Sequence, residues 1–311
     1  MAALSGIRQP PLDTTLMGCL VGASRQCGID LSIPMLFGLS GHAFLINVAD
    51  DLCPSSPYVW NKARFRELLS ALGIDTVAEY AVDRTTSAAR RSDIEAQLRA
   101  HFDRGHVCVM NFLEHQLLAG HDAGGFLLAR PWAHPVPSLV DRIEFGSWDP
   151  CLEREGRVGV SVLQVQPRVI DVRRRARDAL AYAVALIGTA DTCAVPGYRS
   201  GPAAYDNWVD CIRREQQAGV DAGRGHWWCA TVWSECRRQA AAFFSELAPS
   251  VTPEGARACA ALAVRFADIA AQIAAVREPQ MAAQQRIRQL RHARESEQQS
   301  LPDLERLVNA L

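Results

Sequence analysis

The chain has 311 residues, of which 49% are hydrophobic and 22% are charged. It is therefore long enough to bury the core of one large or two moderate globular domains. Its formal net charge is −1, and a nearly neutral chain has no overall field that would draw it to nucleic acid or to an anionic membrane. We therefore expect neither nucleic acid nor a membrane as a partner.

Ten cysteines are spread along the chain, and none forms the Cys-X-X-Cys pair of zinc ribbons and thioredoxin-like sites. We expect no metal site, and the irregular spacing favours a reduced, cytoplasmic chain over a disulfide scaffold. No glycine run lies between a strand and a helix as a phosphate-binding loop requires, so no cofactor is expected. The first residues lack a secretory signal, and no apolar run approaches the ~20 residues of a membrane-spanning helix.

The stretch from residue 13 to residue 48 forms one predicted unit. Asp13 or Thr14 is placed to cap a helix, because a short oxygen-bearing side chain accepts hydrogen bonds from the free amides of the first turn. The helix has an apolar stripe at helical spacing and contains Cys19. Gly28 is predicted to end it, since glycine adopts the left-handed conformation of a helix C-cap. Strand residues from Ile29 to Ile33, a turn at Pro34 and a loop carrying His42 are predicted to follow.

The middle of the chain alternates helices and strands. Helices are predicted over 61–72 and 92–103, the second with Ser92 and Glu95 as a capping box. Residues 106–120 are apolar at nearly every position until Glu114, which predicts one buried arm of a β-hairpin that turns at 122–125. The polar group Glu114, His115 and Gln116 interrupts that arm, and polar groups in a buried strand need hydrogen-bond partners or form a site.

Beyond Pro167 the sequence changes to helical periodicity throughout, and we place a domain boundary at about residue 167. The predicted fold class is α+β, with one domain over 1–167 and an all-α domain over 168–311. Helices are predicted at 171–188, 202–217, 228–247, 253–277, 280–298 and 301–311. The last of them carries a leucine stripe that either docks on the body of the chain or pairs with a second copy in a homodimer.

Three segments together resemble a known family. The residues are TTLMGCLVG and CGIDLSIPMLFGLSGHAF near the start, LAGHDAGGFLLARPW at 118–132, and AAYDNW followed by an aromatic-rich helix. They resemble the family of the butirosin biosynthesis protein H, N-terminal type. The resemblance implies a papain-like or C39-peptidase-like fold with a helical C-terminal extension. The family's namesake is an acyltransferase that moves an acyl group from a carrier protein to an aminoglycoside amine.

The chemistry of such a fold needs a cysteine at a helix N-terminus, a histidine that accepts its proton and a group that orients the histidine. Carried over by position, the family's cysteine falls on Thr15, its histidine on Glu114 and its orienting acid on Arg130. All three positions therefore differ from the pattern that the resemblance implies.

Other residues are available for the same roles. Cys19 and His115 would form a pair in a shifted register, although Cys19 lies one turn deeper in the helix and His115 points to the other face of its strand. His42 and Glu114 are a second candidate pair for acid–base work. The structural alternative is that Glu114 forms a salt bridge with Arg130 across the hairpin.

Two functions follow from these observations. The first is a biosynthetic acyl- or aminoacyl-transferase, or an amide hydrolase, with Cys19, His42, Glu114 and His115 as the candidate catalytic residues. Its partners would be an acyl-carrier protein or a small-molecule amine. The second is a non-catalytic module on a degenerate fold of the same kind, which binds a small molecule, a carrier protein or a partner enzyme.

Overall fold

The computed structural model describes residues 6–112, 114–129, 142–219 and 223–311. The chain is of mixed α and β structure, in agreement with the predicted α+β class. It forms two compact units, each made of two segments: Met1–Leu31 with Leu69–Val169, and Ser32–Leu68 with Ile170–Leu311. We call these the first unit and the second unit.

The helices and strands are numbered in chain order within the described residues. The helices are α1 (Thr15–Gln26), α2 (Ile33–Leu39), α3 (Ala63–Ala71), α4 (Ala88–Asp103), α5 (Asp149–Glu155), α6 (Val172–Gly188), α7 (Pro202–Ala218), α8 (Gly223–Leu247), α9 (Pro253–Ala275), α10 (Ala283–Gln299) and α11 (Leu301–Ala310). The strands are β1 (Asn47–Ala49), β2 (Ile74–Asp83), β3 (Val107–Phe112), β4 (Glu114–His121), β5 (Gly125–Ala129), β6 (Arg142–Glu144), β7 (Arg157–Val165) and β8 (Tyr198–Ser200).

The first unit is built on an antiparallel sheet. Within the described residues its six strands lie in the order β2-β7-β3-β4-β5-β6. A buried apolar cluster combines alternate residues of these strands with residues of α4 and α5, among them Met110, Phe126, Leu98 and Trp148. The predicted turn at 122–125 is confirmed, because Asp122 accepts hydrogen bonds from the amides of Gly124 and Gly125.

The prediction of one long strand over 106–120 is wrong. The segment forms two antiparallel strands, β3 and β4, and Phe112 lies opposite Glu114 in their register. Leu113, between them, lies outside the described residues. The apolar run hid the reversal because it contains no glycine or proline, the residues that usually mark a turn in sequence.

The prediction of strand residues at 29–33 and a turn at Pro34 is also wrong. Residues 33–39 form α2, and the hydroxyl of Ser32 caps it by accepting a hydrogen bond from the amide of Met35. Pro34 lies in the first turn, where its missing N–H has no partner to lose. Pro34 therefore lies in the first turn of a helix and does not interrupt one.

The helix predicted at 92–103 begins about one turn earlier. Ser87 caps α4 by accepting from the amide of Arg90, so Ser92 lies inside the helix. The carboxylate of Glu95 does not complete a capping box. It is buried and accepts from the backbone amide of Gly146 and the indole of Trp148, each at 2.7 Å.

The second unit is helical around α8, which packs against α2 and α9. Its six C-terminal helices begin and end within about five residues of the predicted positions. The unit begins again at Ile170, close to the predicted boundary, but it also includes Ser32–Leu68. One reason is the close approach of α2 to α8: a Cβ added to Gly38 would lie 2.1 Å from the ring of Phe243.

The leucine stripe of the last helix packs inside the second unit. Leu304 and Leu307 are buried, and α11 lies against α6 and α9. This is the first of the two arrangements that the sequence left open for the stripe.

Helix α9 has the length and composition of a membrane-spanning segment, with 23 residues and a mean hydropathy of 1.5. Core helices of globular proteins pass the same test, and α9 packs on α8, α10 and α11 of its own unit. Its buried side chains include Leu262, Phe266 and Ile273. One third of the apolar window is buried, so packing within the second unit accounts for part of the apolar character of this helix.

A buried ion pair connects four parts of the second unit. The guanidinium of Arg237 on α8 donates to the carboxylate of Glu297 on α10 at 2.5 Å, and the Tyr205 hydroxyl on α7 donates to the same carboxylate at 2.7 Å. Arg237 also donates to the backbone carbonyls of Ala43 and Leu45. Each charge is fully buried or nearly so, so each depends on the other for compensation.

We predict that Glu297→Gln lowers the free energy of unfolding by about 3–5 kcal/mol, because it leaves the Arg237 charge buried without a counter-charge. Urea denaturation followed by tryptophan fluorescence measures the loss. The control is Asp210→Asn, which removes an exposed partner of Arg213 on α7 and should change stability by less than about 0.5 kcal/mol. Equal losses in the two variants would contradict a structural role for the buried pair.

Candidate functional site

The first turn of α1 lies against β4 in the first unit. The hydroxyl of Thr15 donates a hydrogen bond to the carboxylate of Glu114 at 2.7 Å. The same hydroxyl accepts from the backbone amide of His115 at 3.1 Å. Thr15 is 1% exposed. Two of the positions onto which the resemblance places the family's catalytic residues are thus in direct contact.

Gln9 completes this contact, and no sequence pattern predicted its role. Its side-chain amide donates to the carbonyls of His115 at 2.9 Å and Thr15 at 3.3 Å, and its oxygen accepts from the amide of Leu117 at 3.0 Å. A primary amide matches a peptide group in its donor and acceptor, so it can pair with an extended backbone as a neighbouring strand does. A single glutamine before a pair of prolines has no pattern that predicts such a role.

The side chain of Glu114 is partly buried, and its carboxylate accepts a hydrogen bond from the Thr15 hydroxyl. Its negative charge also raises the pKa of the Cys19 thiol, as the second cause after burial. The predicted salt bridge with Arg130 lies outside the described residues, as does Arg130 itself.

Cys19 lies on α1 one turn beyond Thr15 and is fully buried. Burial raises the pKa of its thiol well above the ordinary value, and the Glu114 carboxylate raises it further. A catalytic cysteine needs the opposite environment, with cations or free helix amides that stabilise the thiolate. In this position Cys19 is a protonated, apolar packing group.

His115 and Gln116 form hydrogen bonds with segments that lie next to β4. His115 is 7% exposed, and both its backbone amide and its carbonyl are bonded to α1 or to Gln9. Gln116 is fully buried, and its amide nitrogen donates to the carbonyl of Phe112 at 2.9 Å. No donor among the described residues reaches the side-chain oxygen of Gln116.

His42 belongs to the second unit, where it follows Gly41 in a short 3-10 turn. Its Nδ1 lies 3.6 Å from the sulfur of Cys236 on α8. The rings of Phe37, Trp60 and Phe65 surround it at centroid distances of 5.5–5.9 Å. The sequence could not indicate this pairing, since the two positions are 194 residues apart.

The environment of His42 keeps its imidazole neutral. Burial lowers its pKa from 6.5 to about 3, and the charges of Lys62 and Arg237 lower it further. Among the described residues its Nε2 has no hydrogen-bond partner. A proton on this ring would be buried among aromatic rings near two cations, so the ring is poorly suited to accept one near neutral pH.

The arrangement in the first unit offers a hydroxyl held by a carboxylate at the start of a helix. No group of three histidine, cysteine or acidic side chains within the described part of the chain is placed to hold a metal ion. The polar atoms of Gln9 and Thr15 form hydrogen bonds that hold the start of α1 against β4.

Comparison with known proteins adds no family assignment. A scan against models of protein families finds none that matches the chain. A search of curated proteins finds no match either. The function therefore has to be argued from the geometry of these residues.

We predict that His42 makes the second unit less stable in acid. Its pKa is lowered on folding, so the unfolded chain binds the proton more tightly, and stability is lost as the pH falls from about 6.5 toward 3. Replacement by a side chain that does not ionise, His42→Gln, should flatten the dependence of unfolding free energy on pH in this window and leave its slope above pH 7 unchanged. The expected difference in slope is up to about 1.4 kcal/mol per pH unit.

Urea unfolding at intervals from pH 4 to pH 8 measures this slope. His292→Gln, at an exposed position on α10, controls for the loss of a histidine elsewhere. Parallel pH profiles for the wild type and His42→Gln would show that His42 is not held neutral by its surroundings.

Proposed function

We propose that the chain is a non-catalytic binding module on a degenerate papain/C39-like fold, in which Thr15 and Glu114, two of the positions that the resemblance assigns to a catalytic triad, help to hold the fold together. The observation that carries the proposal is the hydroxyl of Thr15. It donates to Glu114 and accepts from the amide of His115, and the residue is almost fully buried. A nucleophile must be able to reach its substrate, and this one is engaged in contacts within the protein.

The state of Cys19 supports the same proposal. Its sulfur is buried, and both causes of its raised pKa favour the protonated thiol. The thiolate is the form that attacks, so this cysteine is a poor replacement for a nucleophile at the helix start. Cys27 and Cys53 are partly exposed, whereas the other eight cysteines are buried.

The partner of such a module would be a small molecule, an acyl-carrier protein or a biosynthetic enzyme, in the cytoplasm. The resemblance to a family of carrier-dependent acyltransferases suggests these classes. Binding without turnover is the expected activity.

The test is covalent labelling of the native protein. We expect iodoacetamide to modify Cys27 and Cys53 before Cys19, because access and thiolate character set the rate. We also expect no acyl adduct on Thr15 or Cys19 after incubation with 4-nitrophenyl acetate or a short acyl thioester. Peptide mass spectrometry locates each modification.

Two matched variants make this test decisive. Glu114→Gln removes the carboxylate that touches Thr15, and Glu144→Gln removes an exposed carboxylate on β6 of the same sheet. Acylation of Thr15 or Cys19 that disappears in Glu114→Gln and persists in Glu144→Gln would overturn the proposal. It would show that Glu114 activates a nucleophile.

That outcome would favour the second candidate, an acyl- or aminoacyl-transferase or an amide hydrolase. One observation supports it. The Thr15 hydroxyl lies at the N-terminus of α1, where free backbone amides stabilise negative charge, and a carboxylate lies 2.7 Å away to accept its proton. Catalysis would require the hydroxyl to become accessible to an acyl donor.

A further inference from the structure

A cavity of about 390 Å³ lies in the second unit, beside the start of α3. Its walls come from α3, from α6 and from the segment that follows α6. The lining residues are Asn61, Ala63, Arg64, Ala181, Tyr182, Ala185, Thr192 and Cys193. Its volume falls in the range of about 300–1,000 Å³ that is usual for small-molecule pockets.

The charge of this cavity is positive. Arg64 carries the charge of the lining, which contains no carboxylate among the described residues, and its guanidinium also donates to the exposed carboxylate of Glu67 on α3 at 2.7 Å. The first amides of α3 lie at the same end, where a helix of this length carries a partial positive charge. The side-chain oxygen of Asn61 accepts from the amide of Ala63 at 3.0 Å, which leaves its amide nitrogen as a donor at the cavity.

Tyr182 supplies a second, independent observation. The residue is 8% exposed, and among the described residues its hydroxyl has no nitrogen or oxygen partner, while the thiol of Cys193, a weak hydrogen-bonding group, lies beside it. Burial raises the pKa of this phenol, and the nearby Cys193 raises it further, while the charge of Arg64 acts in the opposite direction. The Arg64 charge thus lies within electrostatic reach of a hydroxyl that has no nitrogen or oxygen acceptor.

A buried hydroxyl without a nitrogen or oxygen acceptor is unfavourable by about 1–3 kcal/mol, and native proteins seldom keep one without a reason. A carboxylate would satisfy both features of this cavity. One of its oxygens would accept from the phenol of Tyr182, and its charge would pair with Arg64. The methyl groups of Ala181 and Ala185 would contact an apolar chain attached to the carboxylate.

We propose that this cavity is a binding site for a small organic carboxylate with a short apolar chain. The site lies wholly in the second unit and uses neither Thr15 nor Glu114. The assignment rests on the proposed binding function and names a class of ligand, a small organic carboxylate, for a chain whose first unit we propose to be non-catalytic. A failure of hexanoate to bind would leave the proposal of a non-catalytic first unit standing. Acylation of Thr15 would leave the proposal of a carboxylate site standing.

The probe is hexanoate, with hexanamide as the uncharged compound of nearly the same shape. Ligand-observed NMR titration measures affinity in the wild type and in three variants. Arg64→Gln removes the charge, and Tyr182→Phe removes the hydroxyl. Arg66→Gln is the matched control, because Arg66 is exposed on the same helix and does not line the cavity.

We expect hexanoate to bind the wild type about tenfold more tightly than hexanamide, and Arg64→Gln to abolish that preference. Arg66→Gln should keep it. Tyr182→Phe should weaken hexanoate binding about five- to tenfold and leave the urea midpoint of the ligand-free protein unchanged or higher, since no hydrogen bond to nitrogen or oxygen is lost. A role in stability alone would lower that midpoint and leave affinity unchanged.

Three results would overturn the proposal. The first is that hexanoate does not bind the wild type at millimolar concentration. The second is that Arg64→Gln and Arg66→Gln weaken binding equally. The third is that Tyr182→Phe destabilises the ligand-free protein without reducing affinity. Arg64 is half-exposed, so its replacement by glutamine tests binding in a chain that still folds.

Discussion

The first unit depends on the hydrogen bonds that two side chains make to the backbone of β4. The side chain of Gln9 donates to the carbonyl of His115 and accepts from the amide of Leu117. The hydroxyl of Thr15 accepts from the amide of His115. Buried backbone groups must be paired, so these contacts fix where α1 lies on the sheet. The close packing of the helix continues beyond them: a Cβ added to Gly22 would lie 2.6 Å from the side chain of Leu117.

This constraint supports our proposal that the polar residues of the site have a structural role. A hydroxyl that donates to Glu114 and accepts from a backbone amide has its hydrogen-bonding groups in use. The same carboxylate raises the pKa of the buried Cys19 thiol. In the structure, the Glu114 carboxylate holds the Thr15 hydroxyl in place by accepting its hydrogen bond.

Much of the fold could be predicted from local patterns, and the misplaced elements share a physical cause. Amphipathic periodicity located the C-terminal helices within a few residues, because each buries one stripe. The reversal between β3 and β4 was missed because no turn residue marks it, and α2 was missed because Pro34 starts a helix that Ser32 caps. The polar positions Thr15 and Glu114 were identified from the sequence, but their contact was not predicted, because Glu114 was paired with Arg130 or His42 instead. The roles of Gln9 and of the His42–Cys236 pair could not be predicted, because they depend on contacts between distant residues.

The central claim is that Thr15 and Glu114 form a stabilising hydrogen bond that joins α1 to β4. A double-mutant cycle with Thr15→Val and Glu114→Gln, read by urea denaturation, measures the coupling between them directly. The exposed pair of Thr85 and Asp83, whose hydroxyl and carboxylate also lie 2.7 Å apart, provides the reference cycle with Thr85→Val and Asp83→Asn. We predict a coupling of about 1.5–3 kcal/mol for the buried pair and less than about 0.5 kcal/mol for the exposed one. Additive effects at Thr15 and Glu114 would contradict the claim.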